Sequence, residues 1–397
     1  MILAILDMLL RWCEGLWIGR PIRSLAGLFN QIEFRVLFAA GIAFAIVMVM
    51  GKPTISWLVR KRIGDTGQTD AELLRSVAQS KANTPSMGGV LICGAVLILT
   101  FLLCDLSNTY VHLVLVTVVW LSILGGFDDW LKLTEARRSG GRQGLRAWEK
   151  LVFQLGLGLI IGVFSYMAGD NPETAPNIQH ALNIPFQRTY VHDQIAGLTI
   201  NSAVWFLGPV VYITVATLLL GLLSNAVNIT DGQDGLSAGI GMFVSIGLIV
   251  LCLVAGTEQP ASRLLVPYVP GADELAVVSG ALLGALIGFL WFNCSPASIF
   301  MGDCGSLTIG GIIAFVAIVI RQEVVVLVMC AVYVWEILSV ILQVGSYRLR
   351  NGKRIFLIAP YHHHLHHKGW PEQRIVARFW LITLLMVILG LATLKLR

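Results

Sequence analysis

Four short stretches of this chain carry side chains able to do chemistry. Gly125-Gly126-Phe127-Asp128-Asp129 sets two adjacent carboxylates behind an apolar run. Asn225-Ala-Val-Asn228-Ile-Thr-Asp231-Gly232-Gln233-Asp234-Gly235 spaces two amides and two carboxylates over one loop-like segment. Asn293 precedes Phe300-Met301-Gly302-Asp303, and His362-His363-His364 stand together near the end. Carboxylates at a hydrocarbon edge are costly unless paired, hydrated or bound to a cation. Several of them converging suit a hard divalent ion, and Mg²⁺ takes one or two carboxylates and fills its shell with phosphate oxygens and water. The glycines of the second stretch let backbone approach a ligand closely. Lys81, Lys132 and the histidines bring positive charge for phosphates. Acids, cations and a lipid interface together point to phosphoryl transfer to or from a lipid.

Each stretch alone has a plainer explanation. A pair of aspartates can simply be a solvated helix end, and Asp-Gly-x-Asp-Gly can be a turn. The latter lacks the remaining ligands of a calcium loop. Adjacent histidines rarely supply the spaced, closed geometry that zinc prefers. Lys81 and Lys132 can be ordinary loop cations. The combination carries the functional reading, not any single member.

The elements that must position these residues are helices in a membrane. Of 397 residues, 56% are hydrophobic and 13% charged, well below the roughly 25% charged usual for soluble domains. Apolar runs near the ~20 residues that cross a bilayer recur throughout, too uniformly apolar for alternating barrel strands. The expected fold is an all-α integral membrane protein of about ten transmembrane helices, at 36–57, 86–104, 111–127, 151–168, 203–223, 236–255, 275–292, 306–320, 324–344 and 376–394. Residues 36–397 form one polytopic domain. In residues 1–35, Asp7, Arg11 and Glu14 make one polar stripe on an apolar helix, which suggests an interfacial segment. The seven cysteines show no CxxC spacing and read as small buried hydrophobes.

Lys and Arg crowd the loops after the first, third and ninth spans, Arg60, Lys150 and Arg354 among them, whereas the even-numbered loops hold only Arg188, Arg263 and Arg321. Basic loops stay in the cytoplasm, so both termini are expected on the periplasmic side. All four chemical stretches then fall in odd-numbered loops, which puts the active site on the cytoplasmic face. The segment 169–200 becomes an external excursion with no evident chemistry.

Taken in order, Lys81-Ala-Asn-Thr-Pro-Ser-Met-Gly-Gly, Gly-Phe-Asp128-Asp129-Trp-Leu-Lys132, the Asn225-to-Gly235 stretch, Trp-Phe-Asn293, Phe300-Met-Gly-Asp303-Cys-Gly-Ser and Ala-Pro-Tyr-His362-His363-His364 closely resemble the phospho-N-acetylmuramoyl-pentapeptide-transferases of peptidoglycan synthesis. The resemblance runs from about residue 36 to the C-terminus. It implies a ten-span enzyme of the bacterial inner membrane that moves phospho-N-acetylmuramoyl-pentapeptide from UDP onto undecaprenyl phosphate, giving lipid I and UMP with Mg²⁺. It implies a homodimer and no nucleic-acid partner. It further implies that Asp303 ligates Mg²⁺ and that Asp128 and Asp129 handle the lipid phosphate, Asp128 as the base. Lys81, Asn225, Asn228, Asp231, Asp234, Asn293 and Phe300 would surround the nucleotide-sugar. Lys132 and His362, His363 and His364 would lie near the phosphates.

Gln233, Cys304, Trp130 and Leu365-His366 depart from that family's usual residues, which touches fine substrate contacts and not the reaction. Both direct attack and a two-step route through an aspartyl-phosphate are compatible with the residues. A related UDP-N-acetylglucosamine transferase is the alternative within the superfamily. An ion-coupled transporter would place its ionisable residues near the midplane in paired repeats, and no such repeat is visible.

Overall fold

The computed structural model describes residues 19–61, 84–139, 144–169, 177–193 and 197–395, with isolated positions before residue 13. It is a helical bundle with two small β-ribbons. In chain order the helices are α1 (Gly19–Asn30), α2 (Ile32–Arg60), α3 (Gly89–Leu103), α4 (Thr109–Ser139) and α5 (Ala147–Gly169). After the ribbons come α6 (Pro209–Thr230), α7 (Leu236–Gly256), α8 (Glu258–Leu264), α9 (Glu274–Asn293) and α10 (Gly302–Val319). The chain closes with α11 (Glu323–Met329), α12 (Ala331–Leu349), α13 (Tyr361–His367) and α14 (Glu372–Lys395). Eight of the described helices are long and apolar enough to cross a membrane.

The two innermost helices are α9 and α10, whose most apolar stretches are 83% and 89% buried. Helix α9 packs against α2, α7 and α3, while α10 packs against α4 and α6. The outer helices α2, α5 and α14 are only one-third buried and expose Leu37, Phe164 and Leu385. Such apolar surface suits lipid and not water.

Several expected boundaries shift, each for a local reason. The third apolar run does not end at Asp128 and Asp129: α4 continues to Ser139, because nothing in Trp130–Ala136 breaks a helix. The fifth starts later than residue 203, at Pro209, whose missing N–H suits a first helical position. It also continues to Thr230, so Asn225 and Asn228 are helical rather than loop residues. The eighth starts at Gly302, which puts Asp303 in its first turn. The run at 86–104 forms only the 15-residue α3. The run at 324–344 is broken into α11 and α12, bent by 82°.

The expected external excursion at 169–200 and the start of the expected fifth span form two antiparallel ribbons, β1 (Ala181–Leu182) with β4 (Trp205–Phe206) and β2 (Tyr190–Asp193) with β3 (Gly197–Ile200). Arg321, counted above as a loop cation, is buried. It pairs with Glu323 at 2.6 Å, donates to Ala181 O and lies over the Tyr212 ring. Asp7, Arg11 and Glu14 lie outside the described residues, and α1 behind them is amphipathic.

Candidate active site

The start of α5, the end of α6 and the start of α10 meet beside the later part of α4 at one end of the bundle. On α4, Asp128 and Lys132 are four residues apart and therefore neighbours on one face. Lys132 Nζ lies 2.7 Å from Asp128 Oδ2 and 3.0 Å from Asp303 Oδ2. Lys150, in the first turn of α5, reaches the same two oxygens at 2.5 and 2.6 Å. Asp128 is fully buried, and its other oxygen accepts the Leu145 N–H at 2.6 Å.

Asp129 is turned toward the start of α10. Its two oxygens accept the N–H groups of Asp303 and Cys304 at 3.1 and 3.2 Å. The first amides of a helix lack intrahelical partners and attract negative charge, so Asp129 caps α10 and seats Asp303 in the same contact. Gly302 makes the turn into α10 with φ +74°, a conformation that disfavours any side chain.

Asp128, Asp129 and Asp303 each offer an oxygen within 4.8 Å of the others. Asp231, at the end of α6, is a fourth acid facing this group. Its carboxyl is pushed up to about 8, first by burial and then by the charges of Asp303 and Asp129, against a hydrogen bond from the Gly302 amide. All-oxygen donors, with acid in excess of the two lysines, fit a hard divalent cation better than a soft one.

The other expected residues fall into two groups. Asn228 lies beside the acids and donates to Ser306 Oγ at 2.9 Å, tying α6 to α10. Asn225 bonds Gln154 on α5. Asp234 accepts from the Ala297 amide, while its own N–H donates to Glu372. Phe300 exchanges backbone hydrogen bonds with Pro85 and Gly88, holding the end of the Lys81 motif against the Asp303 turn. Lys81 itself lies outside the described residues.

Asn293 is spent inside the protein: it is buried, accepts from Gly235 N and donates to Ile299 O. The three histidines diverge. His362 is fully buried beside Glu336, and the His363 ring lies 4.2 Å from it. His364 turns the other way. Its Nδ1 accepts the Leu357 N–H, and it joins Arg354, His367 and Lys368 around a separate cavity of about 560 Å³. Burial, with Lys368 and His367 close by, lowers its pKa from the ordinary value.

Two residues escaped the reading of the sequence. Lys150 looked like one loop cation among many. Glu336 is an acid within the apolar run Val334-Trp335-Glu336-Ile337, and an ionisable residue at such a position is itself a signal.

Beside Asp128, an apolar groove of about 570 Å³ runs along α4. Leu115, Val119, Ile123 and Phe127 line it at four-residue intervals, and Leu145 and Phe153 close it from the α5 side. Phe127 immediately precedes Asp128, so the groove opens next to the charged cluster.

The sequence model of glycosyl transferase family 4 matches residues 111–321, and the phospho-N-acetylmuramoyl-pentapeptide-transferase signature 1 matches residues 81–93. A curated phospho-N-acetylmuramoyl-pentapeptide-transferase of Francisella tularensis subsp. novicida (strain U112) is 37% identical over 96% of this chain and 98% of its own. One from Desulfotalea psychrophila (strain LSv54 / DSM 12343) is 38% identical over 93% and 95%.

Proposed function

The chain belongs to the phospho-N-acetylmuramoyl-pentapeptide-transferases of glycosyl transferase family 4, and we propose that it transfers phospho-N-acetylmuramoyl-pentapeptide from UDP to undecaprenyl phosphate. The observation that carries this reading is a cluster of three acids and two lysines at the open end of an apolar groove. The reaction needs both halves: a place for an isoprenoid chain and a charged centre for its phosphate.

An oxygen of the lipid phosphate attacks the β-phosphorus of the UDP-sugar, and the phosphorus–oxygen bond to UMP breaks. A phosphate oxygen is already a fair nucleophile, so positioning and charge neutralisation supply most of the acceleration. The groove on α4 takes the first part of the lipid chain and delivers its phosphate to Asp128. Asp128 accepts the phosphate's remaining proton or orients its oxygen in line. Lys132 and Lys150 exchange carboxylate partners for phosphate oxygens as the substrates enter. Asp303, with Asp128 across the shared lysines, would hold Mg²⁺, and the ion would supply positive charge for the pyrophosphate and the departing UMP. Asp129 keeps Asp303 seated through the α10 amides. Asn228, Asp231 and the 231–235 loop border the nucleotide-sugar.

We further place this site on the cytoplasmic face of a ten-span inner-membrane protein with both termini outside, α3 and the bent α11–α12 pair being two of the spans. The enzyme works as a homodimer.

The test is UMP release by purified protein with Mg²⁺ and undecaprenyl phosphate, comparing UDP-N-acetylmuramoyl-pentapeptide with UDP-N-acetylglucosamine. Release with the muramoyl substrate alone is expected. Release with the glucosamine substrate alone would move the chain to the sister activity, and silence with both from folded protein would overturn the transferase reading.

A further inference from the structure

One carboxylate of the apolar interior is committed to a single histidine of the site. Glu336, in the second turn of α12, is fully buried, as is His362. Glu336 Oε2 lies 3.0 Å from His362 Nδ1, and the two Glu336 oxygens lie 3.2 and 3.4 Å from the His362 backbone nitrogen. Ring and backbone of His362 are thus gripped by one side chain. A carboxylate taken out of water is destabilising unless it is paired, and an apolar residue would pack at this position without that cost.

The opposite ring nitrogen of His362 has no hydrogen-bond partner although it is buried. It faces Gly232: a Cβ built there would stand 2.5 Å from Nε2. Gly232 follows Asp231, whose carboxyl feels the charges of Asp303 and Asp129. The unpartnered nitrogen is therefore aimed at the loop that borders the acid cluster. A histidine whose Nδ1–H is held by a carboxylate has a fixed ring orientation and tautomer. With Nδ1 so committed, Nε2 accepts when the ring is neutral and donates when the ring is protonated.

We propose that Glu336 is a positioning residue for the transfer reaction: it clamps His362 so that Nε2 donates to an anionic oxygen of the donor's pyrophosphate over the Gly232 loop. The inference rests on the transferase reading above. Glu336 supplies both the hydrogen-bond acceptor that orients the ring and the counter-charge for its protonated form. No covalent step passes through either residue.

The experiment is a double-mutant cycle on turnover with Mg²⁺, using E336Q, H362A and the double variant, each checked for thermal unfolding. Gln keeps the size and one acceptor of Glu and removes the charge. Loss of a partner that orients a functional histidine commonly costs about 10–100-fold. E336Q should lower kcat by that factor, with KM for undecaprenyl phosphate changed less than about threefold. The double variant should be no slower than H362A alone. Near-normal turnover of E336Q would overturn the proposal. So would an E336Q effect that persists undiminished in the H362A background, since Glu336 would then act through packing.

A second measurement is independent of turnover. In ¹⁵N-histidine-labelled protein, the ring signals that H362A removes should show a protonated Nδ1, and E336Q should shift them. A His362 ring with bare Nδ1 would sink the clamp even in an active enzyme. The expected spectrum from wild-type protein that turns over no substrate would leave the clamp standing and dispose of the transferase reading instead.

Discussion

Lys150 touches the same oxygens of Asp128 and Asp303 as Lys132 does, at 2.5 and 2.6 Å, so it competes with any cation those acids hold. Removing it should therefore have two opposite effects. K150M should lower the Mg²⁺ concentration needed for half-maximal turnover, because a competing charge is gone. It should also lower maximal turnover by about 10²-fold, the usual cost of losing one preorganised charge at a reacting centre. A Mg²⁺ titration of turnover reads both, and an unchanged Mg²⁺ midpoint would show that Lys150 does not share the metal's oxygens. Asp231 gives a pH prediction. Its folded carboxyl is pushed up to about 8 from an ordinary 3.8, so the unfolded chain gives up this proton at lower pH than the folded protein does. Stability from this group is complete below the ordinary value and falls as pH rises toward about 8. In cation-free protein the unfolding temperature should drop between about pH 4 and about pH 8 and level off above that, and D231N should flatten that slope. An identical slope in D231N would assign it to another group.

At the scale of elements, the cluster exists because α4 and α10 approach without an intervening side chain. A Cβ on Gly125 would stand 2.3 Å from Asp303 O and 2.6 Å from Cys304 N, backbone atoms that cannot swing aside, whereas Gly126 has nothing within 4 Å. G125A should cost about 1–3 kcal/mol by overpacking and disturb Asp303 at the same point, so unfolding temperature and turnover fall together. G126A, in the same helix and one residue on, should be neutral or slightly stabilising, since alanine is the better helix former by about 1 kcal/mol. Equal behaviour of the two variants in thermal unfolding would refute the close approach. Nothing in Gly125-Gly126 tells which glycine meets α10, because that depends on the rotation of α4 about its axis. The same gap hid the role of Asp129. Two adjacent aspartates read as equivalent, yet a helix turns by 100° between them, and only Asp129 reaches the α10 amides.

For the whole molecule, apolar run length and the grouping of acids were legible, because hydrophobicity and charge are properties of residue type. Asp128, Asp129 and Asp303 lie together with Asp231 facing them, whereas Asp234 is tied to Ala297 and Glu372. Partners supplied by distant chain were not legible: Lys150 for Asp303, Glu336 for His362, and Arg35 of α2 for Glu274 of α9, a buried pair at 2.8 Å. The placement of those pairs bears on sidedness. Helix α6 ends at the acid cluster, α4 passes it on the way to Ser139, and α5 and α10 begin there, so the four alternate in direction. The buried pair Arg321–Glu323 lies just beyond the opposite end of α10, which internalises a cation that would otherwise count against an outer face under the positive-inside rule. Thiol labelling in a background with Cys294 and Cys13 replaced by serine tests the orientation. S202C lies between β3 and β4 on an exposed residue, and K353C lies on the exposed basic loop beside Arg354. In intact cells a membrane-impermeant maleimide should modify S202C and spare K353C. In inverted vesicles the preference should reverse. Labelling of K353C in intact cells would put the basic loops outside, and with them a site that could not draw on a nucleotide-sugar made in the cytoplasm.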